Sequence, residues 1–376
     1  MTNLPQPLTH LGRLPVAQFM RRTWQRRPLL VRGALPALPP PVDRATLFAL
    51  ARRAEVQSRL VTATDGRWQL KHGPLARLPS PARPGWTVLV QGLEAWVPAA
   101  AELLARFRFI ADARLDDLMA SYASDGGGVG PHVDSYDVFL IQVQGRRRWR
   151  IGRQRDLAEV PGLPLKILAD FRPTEEWVLE PGDLLYLPPN VAHEGTAVGG
   201  DCITCSVGFR APTLGDLAER WLDALTVQPG WRANLTDPGL PATRRPAALP
   251  PTLIDQARSK LCALRPTLTD TRELLLAALS EPKGDAVFTA QRLPASKRVA
   301  LIRTHGVRLD PRTRLMYSGR LFGINGEVHR ATAGTAAVLR ALADRRMLEA
   351  EQCRTLSPAV LGLLGEWLQA GWLGPR

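Results

Sequence analysis

No stretch of this sequence stays apolar for the roughly 18 residues that a membrane-spanning helix needs, so no membrane span is expected. The opening segment MTNLPQPLTHLGRLP has no apolar h-region, and no secretory signal is expected either. Cysteine is scarce, four in 376 residues. That is too few for a disulfide framework in so long a chain and points to a reducing cytoplasm. Cys202-Ile203-Thr204-Cys205 has no second pair to complete a zinc site, and its cysteines fall on opposite faces of a strand, so buried strand cysteines are expected. Lysine is scarce beside arginine, five against 44. The formal net charge is +14 and the isoelectric point near 10.6. With so lopsided a choice of cation, beside abundant Ala, Pro and Leu, the charge reads as compositional bias and a generally Arg-rich surface. Contact with an RNA-rich assembly is the alternative. Internal repeats and low-complexity tails are missing as well.

What is present falls into three zones. Residues 1–211 carry short β-like runs such as Pro28–Val31, Trp86–Val90, Asp137–Ile141 and Asp183–Leu187. Turn signals separate them: Gly126-Gly127-Gly128, Gly145, Pro181-Gly182 and Pro188-Pro189. Many short strands with Gly/Pro punctuation predict a sandwich or barrel, preceded by helices near Ala17–Gln25 and Arg44–Ala54. In residues 212–285 the period turns helical, with Leu214, Leu217, Trp221 and Leu225 on one stripe. Six prolines from Pro229 to Pro251 then exclude regular helix and predict an extended connector. Helical patterns resume at Thr252–Leu264 and Asp270–Leu279. Residues 286–376 combine short strands around an Asn325-Gly326 turn signal with helical patterns at Gly334–Ala343 and Pro358–Ala370, as expected of a small winged-helix-like domain. The fold class is mixed α+β.

The chemistry concentrates in Gly126-Gly127-Gly128-Val129-Gly130-Pro131-His132-Val133-Asp134-Ser135-Tyr136-Asp137. If the chain becomes a strand at His132, side chains alternate, and His132, Asp134 and Tyr136 share one face. An imidazole and a carboxylate side by side are two adjacent metal ligands. His193, in the Pro-rich turn between Leu184–Leu187 and an expected strand Cys202–Phe209, can return beside them in a barrel. Two His and one carboxylate on one side of a metal form the facial triad of non-haem Fe(II) oxygenases, with open positions for a bidentate keto acid and dioxygen. Zinc sites use more His or Cys and fewer open positions. A lone His-x-Asp is also compatible with a surface turn; the glycines before it and the second His argue for the metal. His10, His72, His305 and His329 lack such company.

In Gly145-Arg146-Arg147-Arg148-Trp149-Arg150-Ile151 the same alternation puts Arg147 on the face of Trp149 and Ile151, the natural interior. A guanidinium there needs an anion, because an unpaired buried charge is costly. A keto-acid carboxylate held by a bidentate fork is one candidate, and an internal Asp or Glu is the other. Arg146, Arg148 and Arg150 read as a solvated face. On Arg114–Tyr122, another expected strand, Asp117, Met119 and Ser121 share a face. Ser121 can donate to a keto acid and Asp117 can receive a cationic side chain, although both residue types are often partnered locally.

These residues resemble the bacterial ribosomal oxygenases, a JmjC-like branch of the cupin superfamily, and above all the ribosomal-protein arginine hydroxylases that modify large-subunit ribosomal protein sixteen. The likeness rests on Asp116-Asp117-Leu118-Met119, on Gly126 through Phe139, and on Gly145 through Arg150. It extends through Trp24–Leu30, Trp86–Gln91 and Pro181–Pro189, and is weaker in the later zones. The resemblance implies a double-stranded β-helix (jelly-roll, cupin) catalytic domain, a helical dimerisation module and a winged-helix-like C-terminal domain. It implies iron(II) on His132, Asp134 and His193, 2-oxoglutarate on Arg147 and Ser121 with dioxygen as cosubstrate, and a substrate pocket lined by Tyr136 and Asp117. It implies a large-subunit ribosomal protein as substrate and a homodimer near ribosome or RNA. The polar pair Ser124-Asp125 departs from the pattern, where less polar residues are expected. A histidyl hydroxylase or JmjC-type demethylase of another basic protein would use the same site. A nucleic-acid-binding regulator with a vestigial cupin would need a basic recognition helix, and Ser357–Leu373 is mainly apolar.

Overall fold

The computed structural model describes residues 5–376 except 37, 65, 237, 243, 246 and 285. They form two compact units, one from residues 1–211, 282–313 and 338–376, the other from residues 212–281 and 314–337.

The first unit is built on a nine-stranded sheet among the described residues. Its order is Leu29–Val31, Leu184–Leu187, Val138–Gly152, Ala192–Phe209, Leu115–Ala123, Trp86–Val90, Ser58–Thr64 and Arg67–His72, with Glu175–Leu179 added beside Val138–Gly152. Two long antiparallel strands let one hydrogen-bonded sheet wrap into a jelly roll. Residues 146–152 pair with 192–198, and 138–144 pair with 203–208, with register shifts between Val198 and Thr204. The change falls at Gly145 (φ 66°) opposite Gly199, Gly200 and Asp201, all at positive φ. A Cβ on Gly145 would lie 2.8 Å from the Asp201 carbonyl oxygen, so only glycine lets the strands meet there.

Alternation along these strands feeds two interiors. Phe139, Ile141, Val143, Leu118, Ala120 and Tyr122 join the main core, together with Phe19, Phe107, Tyr186 and Phe209. Val138, Leu140, Trp149, Ile151 and Leu179 form a second cluster. The helix Val16–Arg22 precedes the sheet, whereas Arg44–Ala51 follows the sheet's first strand, Leu29–Val31. The second starts where the Asp43 carboxylate accepts the Thr46 N–H at 2.7 Å. Also in this unit, Val307–Leu309 pairs with Met347–Leu348 on one side and Leu373–Pro375 on the other, beside helices Ala295–His305 and Pro358–Gln369. The second of these turns Val360, Leu361, Leu364, Trp367 and Leu368 inward, so it has no recognition stripe to offer a duplex.

In the second unit, helices Leu214–Thr226 and Leu268–Ser280 both begin at capping boxes, Thr213 with Asp216 and Thr267 with Asp270. Between Thr226 and Pro251 the described residues form turns and irregular chain, as the prolines demand. A meander of Leu315–Ser318, Leu321–Ile324 and Glu327–Arg330 turns at Asn325 (φ 48°) and Gly326 (φ 92°). Gly323 meets the helix Leu268–Ser280, since a Cβ there would lie 2.7 Å from the Leu276 carbonyl oxygen. Thus Arg314–Ala337, expected within the 286–376 zone, is grouped with residues 212–281.

Candidate active site

His132 and Asp134 are not on a strand, contrary to the expectation from alternation. Gly130 takes φ 78° and Pro131 has no N–H, so a ladder cannot form through this segment. His132 instead makes an isolated bridge to His193, each residue's N–H donating to the other's carbonyl at 2.9 Å. His193 is likewise not in the turn. It is the second residue of the strand Ala192–Phe209, which begins ten residues before the expected Cys202. The outcome sought from alternation is reached by another route. The ligand atoms of His132, Asp134 and His193 all lie within 4.8 Å of one another. His193 Nε2 is 3.6 Å from Asp134 Oδ2, and the two imidazole centroids are 4.2 Å apart.

Both imidazoles are aimed by their backbone. His132 Nδ1 is 2.9 Å from the Gly130 carbonyl, and His193 Nδ1 is 2.8 Å from the Val191 carbonyl. Each Nδ1 carries the proton towards its carbonyl, which leaves both Nε2 atoms as lone-pair donors. Burial, and then the neighbouring His132, pushes the His193 pKa down to about 4, so it stays neutral at physiological pH. The Asn190 N–H, in a residue at φ 61°, donates to the Asp134 carbonyl at 2.7 Å and ties that segment to the 188–191 turn.

The glycines let the ligand loop lie flat on the barrel. A Cβ on Gly127 would sit 2.3 Å from the Trp86 carbonyl oxygen, and one on Gly128 2.5 Å from that of Gly195. The polar departure Ser124-Asp125 has its own local partners. Buried Ser124 Oγ accepts the Trp86 N–H at 3.2 Å, and Asp125 Oδ1 accepts the Gly199 N–H at 2.8 Å. At the loop's exit, buried Asp137 accepts from Gln25 Nε2 at 2.8 Å and from the Tyr186 hydroxyl, which itself accepts the Gln25 N–H at 2.7 Å. Sequence reading singled out the Trp24–Leu30 segment without finding this anchor.

Arg147 points inward as alternation requires. It is 4% exposed, between exposed Arg146 and Arg148. Its Nε and Nη2 are buried and have no hydrogen-bond partner among the described residues. No Asp or Glu pairs with it among the described residues; the guanidinium carbon lies 5.8 Å from the Trp149 ring centroid. Ser121 is buried on the strand Leu115–Ala123, and its hydroxyl makes one long contact, 3.4 Å, to the Thr204 carbonyl. Tyr136 is 40% exposed, and its pKa is raised by partial burial and then by the Asp134 and Asp117 carboxylates beside it. Asp117 already has a cation, Lys283 Nζ at 2.7 Å. Lys283 and nearby Glu94 went unnoticed in the sequence, where the rarity of lysine was the one available signal. Cys202 and Cys205 are buried and unpaired, as expected of strand cysteines.

Two imidazole nitrogens and one carboxylate gathered in a wrapped jelly roll, with a buried guanidinium on a strand of the same sheet, define a metal-binding cupin of the JmjC type. The JmjC domain family matches residues 102–217, and the ROXA-like winged helix family matches residues 264–374. Among curated relatives, "Ribosomal protein uL16 3-hydroxylase" of Escherichia coli is 38% identical over 247 residues, 65% of this chain and 66% of that protein. "Probable ribosomal oxygenase" of Haemophilus influenzae is 39% identical over 206 residues, 54% of this chain and 51% of that protein. The aligned stretch therefore spans half to two thirds of these relatives. Solved structures extend the likeness to nearly the whole chain. E. coli YcfD superposes with a TM-score of 0.89 at 30% identity, covering 98% of this chain and all of that one. Its complex with cobalt and 2-oxoglutarate superposes at 0.85, with 30% identity, covering 97% and 99%. The chain belongs to the JmjC-domain ribosomal oxygenase family, with the winged helix of its ROXA-like members.

Proposed function

We propose that this protein is an iron(II)- and 2-oxoglutarate-dependent dioxygenase that hydroxylates an arginine side chain of a large-subunit ribosomal protein. The observation that carries the reading is the buried, unpartnered Arg147 guanidinium in the same jelly roll as the His132–Asp134–His193 cluster. A site that keeps a cation out of water with no internal anion is built for an anionic cosubstrate. The donor set fits iron, because three protein ligands on one side leave room for a bidentate keto acid and dioxygen. Bound iron would supply the activation of dioxygen, with oxidative decarboxylation of 2-oxoglutarate to succinate and carbon dioxide, one oxygen atom going to the substrate.

The chain's residues bind, orient and shield. His132, Asp134 and His193 hold the metal, with each imidazole kept in register by its Nδ1 bond to a backbone carbonyl. Arg147 holds the distal carboxylate of 2-oxoglutarate through two N–H donors, and Ser121 donates its hydroxyl to it. Trp149 and Ile151, on the same face as Arg147, keep water from the cosubstrate. Tyr136 and Asp117 line the approach for the target side chain, Tyr136 as a flat wall and Asp117 as the counter-charge.

The remaining assignments belong to the same proposal. The three zones 1–211, 212–285 and 286–376 serve as catalytic domain, dimerisation module and winged-helix domain. A homodimer is supported by exposed apolar side chains in residues 212–285, among them Leu214 (84%), Leu261 (68%) and Leu268 (66%). The protein works in the cytoplasm, near ribosomes, which suits its +14 charge.

The test is anaerobic loading with iron(II), then oxygen, 2-oxoglutarate and ribosomal proteins from a strain lacking the enzyme. Intact-mass analysis should find one added oxygen on an arginine of uL16. Oxygen on a histidine, or loss of methyl groups, would replace the reading with one of its siblings. His132→Ala and Asp134→Ala should both be inactive, and turnover at the parent rate by either would remove the triad.

A further inference from the structure

Asp117 lies in the strand Leu115–Ala123, and its two oxygens keep different company. Oδ2 accepts the Gly92 N–H at 2.9 Å and sits 2.7 Å from Lys283 Nζ. Oδ1 receives no hydrogen bond among the described residues. It lies 3.5 Å from where a Cβ on Gly208 would be, and Tyr136 Cε2 lies 4.0 Å from that same point. One carboxylate oxygen is therefore held from behind, while the other is left open on the Tyr136 side. Lys283 also reaches Asp116 Oδ2 at 3.4 Å, and Arg210 Nε takes the other oxygen of Asp116 at 3.1 Å. Glu94 stands behind, accepting the Leu118 N–H at 3.0 Å. Burial alone would lower the Lys283 pKa, but Asp117, Asp116 and Glu94 outweigh it and hold the ammonium charged.

We propose that Lys283 is a positioning residue for substrate recognition, pinning Oδ2 of Asp117 so that Oδ1 alone is presented to one N–H of a cationic substrate side chain. This rests on the reading of Asp117 and Tyr136 as the substrate pocket. The physical argument is one of crowding. Glu94, Asp116 and Asp117 gather three carboxylates at one spot, and such groups repel unless a cation stands among them. An ammonium is a compact charge with three donors and can serve two carboxylates at once, where a planar guanidinium would claim both oxygens of one. In a chain with 44 arginines and five lysines, a lysine at this position runs against the compositional bias. Because Oδ2 is occupied, recognition of the target through Asp117 is single-pronged. The rest of a guanidinium must lie against the Tyr136 ring or meet water. Lys283 follows the helix Leu268–Ser280 in sequence, yet it packs in the same compact unit as the barrel, so a segment outside the JmjC match contributes to the pocket.

The test uses the full-length, iron-loaded protein and a synthetic peptide carrying the arginine-containing stretch of the host's uL16. Hydroxylation of the peptide by the parent protein is established first; its failure strikes the functional reading and not the role of Lys283. Lys283→Met is then expected to raise the KM for peptide about ten- to a hundredfold, the worth of one charge-assisted contact. Its KM for 2-oxoglutarate and its peptide-free conversion of 2-oxoglutarate to succinate should stay at the parent values. Lys283→Arg, whose planar fork would claim both oxygens of Asp117, should leave the peptide KM raised. An unchanged peptide KM in Lys283→Met overturns the proposal, and so does a lower one, which would make the lysine a plug competing with substrate. A joint fall of succinate production, 2-oxoglutarate affinity and melting temperature overturns it too, because the lysine would then only hold the fold.

Discussion

Replacing Arg147 by methionine separates what this side chain does for the fold from what it does for the cosubstrate. Methionine keeps most of the stem's volume and removes the charge. In the free protein the guanidinium is 4% exposed, with Nε and Nη2 unpartnered. An unpaired buried charge opposes folding, so its removal costs the free protein nothing in stability. The bound protein behaves oppositely. Truncating one member of a buried, hydrogen-bonded charge pair costs about 2–5 kcal/mol, which at 1.4 kcal/mol per decade raises the 2-oxoglutarate requirement from about thirtyfold to beyond a thousandfold. The assay is thermal unfolding with manganese(II) in place of iron to prevent turnover. Linkage gives the parent about 2.7 kcal/mol at a hundred times the dissociation constant, or about 3–5 °C in Tm for a unit of this size. Arg147→Met should melt no lower than the parent without 2-oxoglutarate and gain nothing with it. If the variant keeps the parent's ligand-induced shift, the guanidinium is not the anion's partner and the argument from its burial fails.

Other outcomes follow from the same geometry. Gly128→Ala pushes a methyl to 2.5 Å from the Gly195 carbonyl oxygen; a loss of about 1–3 kcal/mol in urea unfolding and weaker metal binding by calorimetry are expected. Tyr186→Phe removes the hydroxyl shared by the Gln25 N–H and buried Asp137, and should cost about 1–3 kcal/mol by the same measurement. Burial, and then Asp117, raises the Glu94 pKa to about 7. A carboxyl raised in the folded state adds stability below its ordinary value near 4.5 and loses it as pH climbs through 7. Glu94→Gln should therefore gain on the parent between about pH 4.5 and 7 in paired unfolding curves, and a gap constant across that range would contradict the assignment. Leu261→Glu, at one of the exposed apolar side chains of residues 212–285, should halve the mass seen by light scattering, and an unchanged mass would remove this surface from the dimer.

The sequence was most legible where physics is local. Alternation in Gly145–Ile151 identified Arg147 as an inward charge, and the strand Val138–Gly152 has that burial pattern. The turn at Asn325-Gly326 and the helices after Pro251 and Pro358 also stand where caps and prolines put them. Alternation misled at His132, because Gly130 at positive φ and Pro131 break the strand just where two ligands were assigned to it. The ligands still converge, through a reciprocal bridge between residues far apart in sequence that no local pattern announces. Lys283, Glu94 and the Gln25–Asp137–Tyr186 anchor were missed for the same reason. Each joins distant segments, and a pairing of that kind leaves no periodicity to read.

The tail of the first unit bears on how the protein is made. Leu373–Pro375 pairs with Val307–Leu309, Leu373 is 1% exposed, and Arg108 Nη1 donates to the Asp344 carbonyl at 2.6 Å. Synthesis delivers the barrel strands before these partners, so a nascent chain waits with Val307–Leu309 unpaired on that side and Asp117 without its ammonium. Deleting residues 373–375 should leave the metal ligands in place and yet give a protein that matures poorly.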